Sequence, residues 1–548
     1  MTKGEKIVQG YKALYNAKST FQTSLEAIAY YALPDFERAE KTGDNGTPVR
    51  PVSSKPPLAS HGLGGNLYSN TVSTGQEWFS LRARSKSSEM SSPEVKSWLY
   101  DTTQTVLRYI QNSNSSEALG SMFTLYGTFG TGVLETDYDR TKDEFVFTNI
   151  NINENVFIAE NDRGFVDTLY RELRLTAHQA EGLFGRDALP TDVLEALLDE
   201  SRVAEKFKFI HAVYPNRNRD PNRIDYAGMA YSSCYVFESE QRVVMESGYR
   251  TFPFSVPRFI KVKDFPYGYG AGHNALFAMR ELNRTEAALI DAIEMASHPS
   301  LFVSDEDAVD TIDLRPNSVN YVDMTQGPPK EYSVGAGNVG LLGERSQQLR
   351  YEIDQLFYTD VFQMIRQAAN DRATATEIRA LDEEKLSAIG PMVTRLQAEC
   401  FSTMIERCVD LLIFYGIIEP PPIEAVDFRV VYTTRIDSKL SLVQNQMTIS
   451  AAQNAAQLLA LGAQVPEMGT VMNLTAAAAE ILEKAHIDPS LIIDAQQRQA
   501  ILQAQKKQQE AAQELEQYKA MVKPVDPSKP VADNSPLAAF EGMAPQGF

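Results

Sequence analysis

Between residues 275 and 366 the apolar positions fall into two helical stretches on either side of a polar, proline-containing insert. Leu276, Met279, Leu282, Leu289, Ile293 and Ala296 recur at three, four or seven residues, which predicts a helix with one apolar face. Ala275, Ala278, Ala288 and Ala292 lie among them, small enough to admit a neighbouring helix closely. The insert, Pro299 to Val339, carries Asp305, Asp307, Asp310, Pro316, Pro328 and Pro329, which end helices and favour turns and short strands. Leu342, Leu349, Ile353 and Leu356 then restore the helical period as far as Phe362. A polar break, Gln367 to Thr374, precedes a third helix from about Ala375 to Tyr415. Along it Leu386, Ile389, Val393, Leu396, Cys400, Met404, Cys408 and Leu411 step by three or four, and Pro391 predicts a bend near Gly390. Such a helix pair with a module at its far end makes a poor catalytic cleft. It suits an element repeated around a ring.

The flanking pattern is mixed. Glu5 to Ala17 and Gln22 to Leu33 have helical periodicity, Thr42 to Pro57 reads as a loop, and Ser92 and Pro93 open a helix as N-cap and first turn. Phe145 to Ile150, Val156 to Ile158, Val166 to Leu173, Phe207 to Tyr214, Tyr231 to Glu238 and Gln241 to Ser247 alternate or are β-branched, as strands do. Asp427 to Tyr432 is a further strand, expected to complete a sheet begun before Ala275. Beyond Lys439 the chain reads as Ala-rich and then Gln/Lys/Glu-rich helix, with a proline-containing, aperiodic tail after Pro524. The fold class is α+β, predominantly helical.

With 548 residues the chain has room for two or more domains and a large core. A net charge of −20 argues against a general nucleic-acid binder, but leaves room for a protein that lets a duplex slide without gripping it. Three cysteines, Cys234, Cys400 and Cys408, lack metal-ligand spacing and point to a reducing compartment. The first residues contain no apolar signal segment, and the longest apolar run, Leu411 to Ile418, is too short for a bilayer; no membrane insertion is expected.

Candidate chemistry is sparse. Tyr267-Gly268-Tyr269-Gly270-Ala271-Gly272 follows a strand-like stretch, Arg258 to Val262, and precedes a helix, so it reads either as a dinucleotide-binding turn or, better, as a flexible helix entry. No P-loop occurs, six scattered histidines form no metal pattern, and Asp382, Glu383 and Glu384 read as a solvated helix face before a cation site. No cofactor and no catalytic residue are expected. Arg366, Arg372 and Arg379 flank the polar break, which also holds Asn370. They either touch phosphates weakly or pair with Asp371, Glu377 and Asp382.

Several segments together resemble the head-to-tail connecting (portal) proteins of short-tailed, podovirus-type bacteriophages. They are Gly75-Gln76-Glu77-Trp78-Phe79-Ser80-Leu81, the glycine-rich Tyr126 to Leu134, Asn155 to Asp162 with Gly164 to Arg171, and Phe252-Pro253-Phe254 with Arg258 and Tyr267-Gly268. Leu282-Asn283, Thr374 to Arg379, Gly390-Pro391 and Arg395-Leu396-Gln397 complete the set. The resemblance implies a non-enzymatic ring, usually of twelve subunits, at one capsid vertex of the virion, assembled in the bacterial host cytoplasm. It implies a wing (1–274 and 376–438), stem helices (275–297 and 338–366), a clip (298–337), a channel loop (367–375), a helical crown (439–520) and a disordered tail (521–548). Double-stranded DNA would pass through the ring, with Arg366, Asn370, Arg372 and Arg379 as channel candidates. The terminase large subunit, and after it tail adaptor or gatekeeper proteins, would dock on the clip, where Asp305, Asp307, Asp310 and Arg315 are candidates. Scaffold and major capsid protein would contact the wing. The competing readings are a structural tail or baseplate protein, which would not need the helix–insert–helix excursion, and a nucleotide-dependent packaging enzyme, disfavoured by the missing phosphate loop.

Overall fold

The computed structural model describes residues 1–34, 51–72, 77–84, 92–223, 225–304, 312–313, 315, 318–322, 336–362, 389–422 and 428–434. All belong to the first of two compact units, Met1–Met468 and Gly469–Phe548. The expectations for residues 363–388 and 439–548 therefore lie outside the described residues.

Thr2 starts the first helix, α1 (Lys3–Ala32), with a capping box: its side chain accepts from the Glu5 N–H while Glu5 accepts from the Thr2 N–H. The two helical stretches expected here are one, because the stripe Tyr11, Lys18, Phe21, Leu25 and Ile28 runs unbroken and buried through the polar residues between them. α2 (Lys55–Thr71) begins inside the expected loop, since Pro56 and Pro57 occupy the first turn, where no N–H is needed. β1 (Phe79–Ala83) follows, and then α3 (Pro93–Gln111), capped as expected by the Ser92 side chain. Helix α4 (Ser115–Phe129) ends at Gly130.

Strands β2 (Leu134–Asp139) and β3 (Glu144–Asn149) make a hairpin. β4 (Val156–Glu160) and β5 (Val166–Thr176) lead into two short helices, α5 (Ala177–Phe184) and α6 (Thr191–Leu198). β6 (Lys206–Pro215), β7 (Tyr231–Phe237) and β8 (Arg242–Tyr249) complete an antiparallel sheet in the order β4-β5-β6-β7-β8. Its alternation sorts two cores. Ile210, Ala212, Cys234 and Val236 meet Ile7, Val8 and Tyr11 of α1, whereas Phe207, Phe209 and Phe237 meet Ala177, Ala180, Val193 and Ala196 of α5 and α6. Buried His211 lies on the second face, accepting from Arg171 Nε at 3.0 Å, stacked on Tyr235 and bonded to Ser233. Burial, and then the Arg171 charge, hold its pKa well below the usual value, so the ring is neutral. Arg171 in turn pairs with Glu135 of β2 at 2.9 Å, joining the two sheets.

β9 (Phe254–Ser255) extends the β2–β3 hairpin, and β10 (Ile260–Lys261) pairs with β11 (Gly268–Tyr269), shorter than the expected 258–262 strand. Then come α7 (Ala271–Ser297), β12 (Leu301–Ser304) paired in parallel with β13 (Val319–Val322), and α8 (Ala336–Leu356). Residues 389–396 are helical through Pro391, a π-turn occupies Gln397–Phe401, and α9 (Ser402–Phe414) continues. Ile389, Val393, Leu396, Cys400, Met404, Cys408 and Leu411 are all buried, as their spacing predicts. The local irregularity that is present is the π-turn; the residues preceding 389, where a bend at Gly390 would show, lie outside the described ones. β14 (Phe428–Tyr432) returns to pair antiparallel with β1, Phe79 opposite Tyr432. The chain thus leaves its body and comes back, as expected.

One buried lysine helps hold α1 to this body. Lys18, 1% exposed, donates to the carbonyls of Ile152 (2.6 Å), Glu154 (3.0 Å) and Val156 (3.0 Å). Desolvation dominates and pulls its pKa from 10.5 down to about 7. Between those values the unfolded chain binds the proton and the folded chain does not, so this site's contribution to stability rises with pH across that window. Lys18→Met leaves three carbonyls without their donor and is expected to cost roughly 2–3 kcal/mol at pH 7. The gap from wild type in urea midpoint should widen between pH 7 and pH 9; a gap independent of pH counts against this account.

Candidate stem and the seat that holds it

Gly130 closes α4 in the left-handed region at φ +88°, and the segment entering α7 presses against it. Phe259 N–H donates to the Gly130 carbonyl at 2.8 Å and Gly132 N–H to the Pro257 carbonyl at 3.1 Å. A Cβ on Gly270 would stand 2.4 Å from the Gly130 nitrogen and 2.5 Å from the Thr128 oxygen, and one on Gly272 2.6 Å from that same oxygen. The glycines of 127–132 and 268–272 therefore let two backbones meet. This overturns the dinucleotide-turn reading of Tyr267 to Gly272, because protein fills the space a pyrophosphate would need. The better reading, an entry into the long helix, stands, although the entry is tightly packed. α7 accordingly starts at Ala271, four residues before the expected 275, with Gly272 in its first turn. His273 stacks on Phe21 at 5.1 Å and accepts from Gly270 N–H at 3.3 Å; burial pulls its pKa down to about 4.

Beside this seat lies a buried ion cluster. Arg258 is 1% exposed and its guanidinium bonds Glu160 of β4 and, at 2.5 Å, Glu399 in the π-turn. A further bond of 2.9 Å runs to the Gly164 carbonyl, while Lys261 reaches Glu160 at 3.2 Å and the same carbonyl at 2.8 Å. Two carboxylates, one guanidinium and one ammonium thus join the sheet, the approach to α7 and the helix that follows the polar break. Trp78 and Phe79 pack nearby: Trp78 lies 5.0 Å from the Phe401 ring, and both are essentially buried.

α7 and α8 lie along each other. Glu286 of α7, its side chain 10% exposed, accepts from Arg350 at 2.8 Å and from Ser346 at 3.2 Å; Glu281 pairs with Arg345 at 2.7 Å. Asn283 accepts from the Val52 N–H at 2.7 Å, and Lys55 of α2 pairs with Asp354 of α8, so the pair is fastened at its base. Of the face expected to be apolar, Met279 and Leu282 are buried and Leu276 is partly so, but Ile293 is 47% exposed and Ala296 is exposed. Ala275, Ala278 and Ala292 are buried; Ala288 is not. The half of α7 nearest the body is covered by that body, and the far half projects past it.

Sequence-derived candidates are distributed as follows. Arg315 is held by Asp313 at 2.5 Å, and its guanidinium keeps that carboxyl at about 2; the Arg315 side chain remains 85% exposed. Asp305, Asp307 and Asp310, and the channel candidates Arg366, Asn370, Arg372 and Arg379, lie outside the described residues. Among the described residues no group of three or more His, Cys, Asp or Glu could hold a metal ion, and no helix is long and apolar enough to cross a membrane. A shallow depression of about 400 Å³ is lined by Tyr138, Arg140, Asp143, Phe414, Tyr415 and Ile417, with Tyr138 donating to Asp143. Lys18, Glu286 and Glu399 went unnoticed in the sequence. The available signal was a charged residue standing on an apolar helical stripe.

The chain is similar to known proteins over nearly its whole length. It is 28% identical to the probable portal protein of Bordetella phage BPP-1, over 99% of both chains. It is 25% identical to the portal protein of Salmonella phage epsilon15, over 94% of this chain and 93% of the relative. The family model for bacteriophage head to tail connecting protein matches residues 5–493. By that match, which spans most of the chain, the chain belongs to the bacteriophage head to tail connecting protein family.

Proposed function

We propose that the chain exercises its portal function as a closed ring of twelve copies, through which double-stranded DNA enters the capsid and later leaves it. The observation that carries this reading is the near full-length similarity to two phage portal proteins, together with a base-fastened α7–α8 pair projecting from a compact body. Membership of the family makes the role structural, not enzymatic. In this reading residues 275–297 and 338–366, in α7 and α8, are the stem, 298–337 with the β12–β13 pair are the clip, 1–274 and 376–438 form the wing, and residues 439–520 are the crown. Residues 367–375, with Arg366, Asn370, Arg372 and Arg379 in or near them, face the channel. The clip, with Asp305, Asp307, Asp310 and Arg315, receives the terminase large subunit and then the tail adaptors of a short-tailed phage. The wing meets scaffold and major capsid protein, and assembly takes place in the host cytoplasm. Negative-stain microscopy of the purified full chain tests the core of this. Rings with a central hole are expected; protein that remains monomeric at micromolar concentration overturns it.

A further inference from the structure

A closed ring built from one kind of subunit needs two different edges on each copy, complementary to one another. Along α7, Phe277, Arg280, Arg284, Ala288 and Asp291 follow at intervals of three and four, so they share about 80° of the helix circumference. All five are exposed, Phe277 to 76%. Along α8, Leu341, Glu344, Gln348, Tyr351 and Gln355 form an equivalent stripe, with Leu341 67% and Tyr351 62% exposed. The opposite faces, Met279, Leu282 and Glu286 on α7 and Ser346, Leu349 and Ile353 on α8, are buried.

The charges on these two edges are complementary. Glu281 and Glu286 are taken by Arg345 and Arg350 within the helix pair. Among the described residues, Arg280 and Arg284 on the α7 side, and Glu344 and exposed Glu352 on the α8 side, have no ion-pair partner. Each edge also carries one large exposed aromatic ring beside its charges, the composition found where interface energy concentrates. Resting on the ring reading above, we propose that the Phe277/Arg280/Arg284 edge of α7 in one copy seats against the Glu344/Tyr351/Glu352 edge of α8 in the next copy. The occupant of each edge is thus a second copy of this chain, joined head to tail.

Charge reversal tests the seam in the full-length chain. R280E/R284E alone and E344R/E352R alone are each expected to lose the ring species in native mass spectrometry, because like charges then face each other at every junction. An equimolar mixture of the two variants is expected to recover rings in which they alternate, since each junction again joins opposite charges. Either variant forming rings alone at wild-type yield overturns the seam, as does a mixture that stays unassembled while both variants melt like wild type. F277S gives an uncharged probe: self-association at least tenfold weaker with unchanged melting is expected, and wild-type affinity overturns the proposal. If the wild-type chain itself never forms rings, the ring reading fails. If its rings are indifferent to all these changes, only the seam fails.

Discussion

Arg258→Met is expected to destabilise the protomer by about 3–5 kcal/mol, the usual consequence of removing one partner from a buried ion pair. The side chain is 1% exposed, and the change takes the guanidinium from Glu399 and leaves that buried carboxylate only the backbone N–H of residue 258. Glu160 keeps Lys261 at 3.2 Å, so the larger part of the penalty falls on Glu399. That assignment is separable. Adding Glu399→Gln to Arg258→Met should recover a substantial fraction of the loss in chemical denaturation, whereas adding Glu160→Gln should recover little. Equal recovery from both would show that the cluster shares its charge evenly, contrary to this account. Arg258→Lys is expected to be only a partial substitute, because an ammonium cannot span Glu160, Glu399 and the Gly164 carbonyl with fixed planar geometry.

Gly130→Ala is the second large effect, about 2–4 kcal/mol, from two independent causes. The residue sits at φ +88°, where a side chain is strained, and its Cβ would meet the Gly270 nitrogen at 2.2 Å and the Tyr269 carbonyl carbon at 2.3 Å. Those are backbone atoms, so no rotamer change relieves the overlap; the start of α7 must move. Gly120→Ala is the matched control, since a Cβ there meets nothing within 4 Å and α4 gains a better helix former. Thermal unfolding should place Gly130→Ala well below wild type and Gly120→Ala at or above it. Wild-type melting of Gly130→Ala would mean that the seat yields easily and does not fix the start of α7.

The parts of this fold written in regular periods were legible. β5 to β8 stand out by their β-branched and aromatic residues, with β6 and β7 buried on both faces because each face meets its own core, and the helix around Cys400 repeats at three and four because that side is buried. α5 and α6 escaped notice: at eight residues each they are too short to establish a period between strands of similar composition. Only the start of α2 falls in the expected loop, because prolines favour loops elsewhere, whereas here Pro56 and Pro57 occupy a first turn; further along, Gly64 lets Thr124 approach. The site was harder to read. Arg258 stood out within a family-like segment, but its partners lie 98 and 141 residues away in the chain, a pairing that no local spacing encodes.

The pairing of β1 with β14 has a consequence for biosynthesis. Phe79 waits for Tyr432, about 350 residues later. At the roughly 5–20 residues per second of translation, that is on the order of 20–70 s during which a nascent Phe79–Ala83 segment has emerged without its partner strand. An unsatisfied strand edge beside Trp78 invites pairing with another nascent chain, and polysomes bring such chains close together. The body can close only after the whole excursion has been made, so transcripts truncated before codon 428 should yield insoluble product rather than a smaller soluble domain.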